Sequence, residues 1–207
     1  MRRRARAVFR LLRCVVHGLH GVGIVLLLFP GLSPGARQQR IRWWSAKLLR
    51  LIGIELRVAG EPQAGGVLAI NHISWLDVAA VHAVVPEARF VSKADVRRWP
   101  LVSRLVDSAE TFYLERERKR DSLRVASVVA EALREGQTVA LFPEGTTSTG
   151  HGLLPFHANL LQAAVMVGAP VQPVALRYGD SSDAVSRAVE FVGATTLLQS
   201  LWRTAGG

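Results

Sequence analysis

Two hydrophobic patterns share this chain. Through residue 53 apolar residues run in long, basic-flanked stretches, whereas from Ile54 onward short apolar bursts alternate with longer amphipathic ones. Read by their period, the bursts predict strands near 54–58 and at 66–70, 88–92, 110–114, 138–142 and 171–176. The stretches between them predict helices from 75 to about 84 and over 97–107, 120–134 and 156–167, with a turn at 60–65. Short strands alternating with helices point to an α/β fold, here a mixed sheet flanked by helices. Beyond the last strand, "AVEFVG" and "LLQSLW" predict a short terminal helix or two against the core.

The N-terminal pattern is of another kind. Residues 1–13 hold six Arg, and no Lys, Arg, Asp or Glu interrupts the 19 residues from Cys14 to Leu32. As a helix that run would extend about 28 Å, close to the ~30 Å of a bilayer core. His17, His20 and the glycines at 18, 21 and 23 weaken a full crossing, and Pro30 would end the helix near Phe29. A signal anchor or a shallow interfacial helix therefore fits better than a spanning one. A cleaved signal peptide fits worse, because "FPGLSPGA" offers a poor small-x-small site; a buried first helix is the other alternative.

The next stretch, "RQQRIRWWSAKLLRLIGIELRV", places Trp43, Trp44, Leu48, Leu49 and Leu51 or Ile52 near helical spacing. Arg40, Arg42, Lys47 and Arg50 can then turn to solvent or headgroups. Tryptophan beside arginine suits a lipid interface, and a plain core helix fits the same pattern. Residues 1–58 thus read as a basic, apolar, membrane-associating segment, and 59–207 as the main domain with a shortened C-terminal end. The expected location is the cytoplasmic face of the cell membrane.

Composition narrows the classes. A chain of 207 residues with 49% hydrophobic content suits one packed domain and argues against disorder. A net charge of +10 would attract nucleic acid, an anionic membrane or a phosphorylated substrate equally. The arginines concentrate around apolar stretches, with no zinc-finger spacing and no glycine-flanked aromatic RNA motif, so nucleic acid is set aside. A lone cysteine, Cys14, gives neither a disulfide framework nor a cysteine metal cluster.

Candidate chemistry gathers after two predicted strands. In "VLAINHISWLDVAAVH" Ser74 and Asp77 match a capping box, with Ser74 receiving the Asp77 amide and Asp77 reaching back to the Ser74 amide. His72 has no part in a cap. At the end of an apolar strand, a neutral imidazole can take a proton from an attacking hydroxyl, and Asp77 can fold back to fix its tautomer. Asn71 would tie down the turn. A capped helix with an incidental histidine is the alternative reading.

The second group, "FPEGTTSTGHG", puts Pro143, Glu144, Gly145, Thr146 and Thr147 in a flexible polar loop whose amides could hold an anion. It has neither Walker A nor GxGxxG order, so nucleotide triphosphate binding is not indicated. Arg116 and Arg118, just past the strand 110–114, would suit a phosphate at the same sheet edge.

Together "NHISWLD" and "FPEGTT" resemble the paired motifs of the glycerol-phosphate and lysophospholipid acyltransferase family. "TFYLERER" resembles its arginine-bearing block through Arg116, "VQPVAL" its final strand around Pro173, and Lys93 and Pro100 fall where a K...P segment is expected. The resemblance covers roughly residues 66–176. It implies transfer of a fatty acyl group from acyl-CoA or acyl carrier protein to the hydroxyl of a lysophospholipid, 1-acyl-glycerol-3-phosphate first. It implies His72 as general base and Asp77 as its orienter, with Asn71, Ser74, Arg116, Glu144, Gly145 and Thr146 around the acceptor. Membrane lipids, the acceptor and acyl carrier protein are the implied partners, and neither a bound cofactor nor a metal is required.

Two positions depart from the family pattern. Glu110 and Ser103 stand where glycine is usual. A carboxylate at Glu110 facing the site would repel a phosphate dianion, which keeps a lyso-ornithine lipid, or a non-catalytic lipid-binding role, as alternatives.

Overall fold

The computed structural model describes residues 2–93, 102–114 and 119–207. Five strands, β1 (Gly66–Ile70), β2 (Arg89–Lys93), β3 (Phe112–Leu114), β4 (Thr138–Leu141) and β5 (Val171–Val174), form one sheet in the order β3-β2-β4-β1-β5. The α/β class is as expected, but all four pairings among these strands are parallel rather than mixed. The reason lies in the connections: each passes through a helix or a long loop, which returns the chain to the starting edge before the next strand begins.

Four of the helices serve as those crossovers: α3 (Leu76–His82), α4 (Val102–Ser108), α5 (Lys119–Arg134) and α6 (Gln162–Val167). Strand alternation then sorts the core. Val67, Val139 and Leu141 pack with Val125, Val129 and Leu133 of α5 and Ala163 and Ala164 of α6. Leu68, Ile70 and Ala140 pack on the opposite face with Val81, Val85 and Phe90. Burial on both faces explains why β1 reads as an unbroken apolar run. A side chain such as Val139, 0% exposed, contributes about 1.5–3 kcal/mol over its exposed state, so the central strands are a firm platform.

A further layer covers α3. Helices α1 (Arg2–Leu27), α2 (Pro34–Ile52) and α7 (Leu197–Gly206) share a core in which Leu49, Ile52, Ile73, Leu76 and Ala205 are buried. Ser33 caps α2 at its start by accepting from the Ala36 amide, and Gly53 ends it at φ 101. Arg3 and Arg6 of α1 donate to the Gly206 carbonyl and Arg10 to that of Ala205, covering the carbonyl end of α7. Helix α1 is long and apolar enough to cross a membrane. Its outward side carries Val8, Phe9, Leu12, Val15, Val16 and Leu19, all 46–67% exposed.

Several expected boundaries move. Residues 54–58 form no strand and pair with no described strand, and Leu56 and Val58, without an apolar face to cover them, stay exposed. The helix expected over 156–167 is instead a 3-10 turn at Ala158–Leu160 followed by α6. Of the two terminal pieces, "LLQSLW" opens α7 behind a Thr196–Gln199 capping box, while "AVEFVG" is loop. Pro100, Arg116 and Arg118 lie outside the described residues.

Candidate active site

Three neighbouring strands deliver the polar groups. The carboxyl ends of β4, β1 and β5 lie side by side, and the chain leaving them carries Phe142 to Thr147, Asn71 to Asp77, and Leu176 to Tyr178 respectively. This is the crevice in which α/β folds place ligands.

His72 Nδ1 donates to Asp77 Oδ2 at 2.8 Å. The same oxygen accepts from the amides of Ile73 at 2.7 Å and Ser74 at 2.9 Å, and Asp77 itself is 0% exposed. An acceptor-only carboxylate fixes the proton on Nδ1 and leaves Nε2 with a free lone pair. The His72 side chain is 20% exposed, enough to meet a substrate hydroxyl. Below it the Phe142 ring stacks at 3.8 Å between centroids and 11° between planes, and Phe90 stacks on Phe142 at 5.5 Å. Apolar rings on that side confine the imidazole and bring no competing hydrogen bond.

The expected capping box is half present. Asp77 reaches back to the Ser74 amide, but the Asp77 amide goes to the Ser74 carbonyl at 3.1 Å, and Ser74 Oγ accepts from Leu76 at 3.4 Å. Turning the Asp77 carboxylate towards three donors tightens the loop, and the hydroxyl follows the nearer amide.

Glu144 is buried at 2% exposure and holds both motif loops together. Its Oε1 accepts from the His72 amide at 2.7 Å and its Oε2 from the Leu154 amide at 2.8 Å. The Ser148 amide donates to the His72 carbonyl at 2.7 Å from the same loop. Asn71 acts likewise towards β5, donating to the Leu176 carbonyl at 3.0 Å and accepting from its amide at 2.6 Å. The polar atoms of Asn71, Ser74 and Glu144 are thus taken up by the backbone. Gly145 turns the loop at φ 68, where a side chain would be strained, and its amide closes the turn on Phe142. Thr146 is exposed beside it.

Sequence reasoning missed Tyr178. Its hydroxyl donates to Asp77 Oδ1 at 2.7 Å, so four donors surround that carboxylate. Burial first, then the charge and hydrogen bond of Asp77, push the phenol pKa well above the usual tyrosine range, and it remains a neutral donor. The signal was position: Tyr178 stands two residues past the predicted strand 171–176, as His72 stands two past β1.

Glu110 lies elsewhere. It precedes β3, at the amino end of a parallel sheet whose carboxyl end holds His72, and its carboxylate is 3.6 Å from Arg89 Nε. Its φ of 53 is left-handed, which is the conformation that favours glycine here. The expected repulsion of an acceptor phosphate therefore does not arise from this residue. Among the described residues there is no group of His, Cys, Asp and Glu able to hold a metal.

Residues 53–177 match the family model described as Acyltransferase. The chain is 38% identical over 200 residues to the lyso-ornithine lipid O-acyltransferase of Pseudomonas aeruginosa, covering 92% of this chain and 76% of that one. It is 43% identical over 132 residues to the 1-acyl-sn-glycerol-3-phosphate acyltransferase of Neisseria gonorrhoeae, covering 63% of this chain and 51% of that one. The fold is like that of the 1-acyl-sn-glycerophosphate acyltransferase of Thermotoga maritima, with a TM-score of 0.67 and 22% identity, over 83% of this chain and 73% of that one.

Proposed function

The chain belongs to the acyltransferase family, and from that premise we propose that it transfers a fatty acyl group from a thioester to the hydroxyl of a lysophospholipid at a membrane surface. The observation that carries the reading is the His72–Asp77 contact of 2.8 Å, with Nε2 left free at the carboxyl edge of the sheet.

In the step this geometry supports, Nε2 takes the hydroxyl proton as the oxygen attacks the thioester carbonyl. The C–O bond forms and the carbonyl becomes a tetrahedral oxyanion. Its collapse breaks the C–S bond, and the imidazolium returns the proton to the departing thiolate. Asp77 favours the imidazolium while it exists, and its fixed setting spares reorganisation. No acyl-enzyme is needed. Acyl-CoA and acyl carrier protein both present a thioester of this kind. Arg116, Gly145 and Thr146 are the groups proposed for the acceptor headgroup, while Asn71, Ser74 and Glu144 support it by setting the loops.

The acceptor proposed first is 1-acyl-glycerol-3-phosphate, since Glu110 precedes β3 at the amino end of the sheet, opposite the strand ends that carry His72. A lyso-ornithine lipid is the second reading, favoured by the longer match to the Pseudomonas protein. The exposed apolar stripe of α1, with Lys47 over the Trp43 ring at 4.6 Å, supports a helix lying along a membrane surface, for which the cytoplasmic leaflet is the proposed side. Membranes carrying the protein, supplied with acyl-CoA or acyl-acyl carrier protein and each lyso-lipid in turn, test the assignment. Faster acylation of lysophosphatidate is expected. Preference for the lyso-ornithine lipid would replace the first acceptor with the second, and no transfer to either would overturn the function.

A further inference from the structure

We propose that Tyr178 is a positioning residue for acyl transfer, holding the Asp77 carboxylate in the setting from which it orients His72; this rests on the base role of His72 proposed above.

The two Asp77 oxygens are held unequally. Oδ2 accepts from His72, Ile73 and Ser74, whereas among the described residues Oδ1 accepts from Tyr178 alone. Asp77 is sealed from solvent, so no bulk water stands ready to replace the hydroxyl. Without it the carboxylate loses its one restraint on that side, and the charge left on Oδ2 rises.

Tyr178 also belongs to a segment that fastens both motif loops. The Ser186 amide donates to the Tyr178 carbonyl at 2.8 Å, closing residues 178–186 into a loop. Further on, the Phe191 amide donates to the Ile73 carbonyl at 3.1 Å, and Thr147 Oγ1 donates to the Phe191 carbonyl. This strap thus reaches the loop after β1 and the loop after β4. The stretch matched by the family model ends at residue 177, one position before Tyr178.

The consequence is electrostatic. A hydroxyl on Oδ1 draws charge from the face that meets the imidazole. Removing it favours the imidazolium and also makes the buried carboxylate easier to protonate. Both changes deplete the active pair of neutral His72 and ionised Asp77 from the acid side. Among the surrounding ionisable groups, Glu144 faces the couple through the His72 amide. His151, His157, Arg177, Asp180, Asp183 and Arg187 are exposed to solvent, Glu190 is half-buried, and Arg203 of α7 is bonded to the carbonyls of Ala188 and Glu190.

Tyr178→Phe in the full-length protein keeps the ring and deletes the donor. The acidic limb of kcat/KM is expected to rise by roughly half a pH unit to one unit. On the acid side of that limb kcat should fall by up to about three- to tenfold with KM for the acceptor unchanged. The chain has two tyrosines, so growth on 3-fluorotyrosine in a Tyr113→Phe background labels Tyr178 alone. This more acidic phenol keeps the fold's contacts and should move the limb to lower pH, which covers the case of a poorly folded Phe variant. A limb unmoved by the fluorinated residue, or unmoved in a folded Phe variant that loses only thermal stability, would overturn the proposal. An active His72→Ala protein would instead defeat the base role itself, whatever Tyr178 does.

Discussion

At the carboxyl ends of β4, β1 and β5, Asp77 and Glu144 are sealed from solvent and each of their four carboxylate oxygens accepts from a named donor. At the amino end of β3, Glu110 has a side chain 69% exposed and stands 3.6 Å from Arg89. The ingredients at the two ends are alike, an acid, a polar partner and a tight turn. The difference is solvent. Exposed pairs contribute about 0–1 kcal/mol, while a buried acceptor that loses its donor, or a donor its acceptor, costs about 1–3 kcal/mol. Acidic residues therefore count for function here by which end of the strand they occupy and not by their number.

Exchanging an acceptor for a donor at the buried end should do most damage. Glu144→Gln would turn an amide group towards an amide that already donates, at the His72 or the Leu154 backbone. Unfolding free energy is expected to fall by about 1–3 kcal/mol. Acyl transfer should drop about 10- to 100-fold as the His72 loop shifts. Denaturant titration and initial rates read the two effects separately.

A smaller, pH-dependent effect comes from His82, buried on α3 and bonded to the Ala88 carbonyl at 3.0 Å. Burial lowers its pKa, and the carbonyl bond only partly opposes this. The unfolded chain binds the proton first, near pH 6.5, so the stability held by neutral His82 is fully present above that pH. It is lost as pH falls from there towards the depressed folded value, at up to about 1.4 kcal/mol per pH unit. His82→Gln should flatten this slope between pH 7.5 and 5 in urea unfolding.

Glu110→Gly should matter least. Relief of the left-handed backbone, about 1–2 kcal/mol, is offset by loss of the exposed Arg89 pair and by the freer unfolded chain. A net stability change within about 1 kcal/mol is expected. Acceptor preference should stay the same, and a shift towards phosphate-bearing acceptors would break the contrast between the two sheet ends.

Much of the site was legible in the chain because its signals are local. An apolar run followed by Asn71, His72, Ser74 and Asp77 marks a strand end and the turn after it. The fold class followed from strand and helix periods in the same way. What escaped depends on partners distant in sequence. Tyr178 meets Asp77 across 101 positions because β5 lies beside β1, and no local pattern states that neighbour. Asn71 and Glu144 bond to backbone amides and carbonyls, which every residue but proline offers, so their partners leave no mark. Glu110 was legible as a missing glycine, but which end of the sheet it occupies required the strand directions.

The roles of His72 as the base and Asp77 as its orienter are tested most directly by the acyl-transfer rate of His72→Ala and Asp77→Asn beside the unaltered protein at matched membrane levels. With melting temperatures preserved, both rates are expected to fall by about 10²- to 10⁴-fold. Turnover unchanged in both folded variants would contradict both roles.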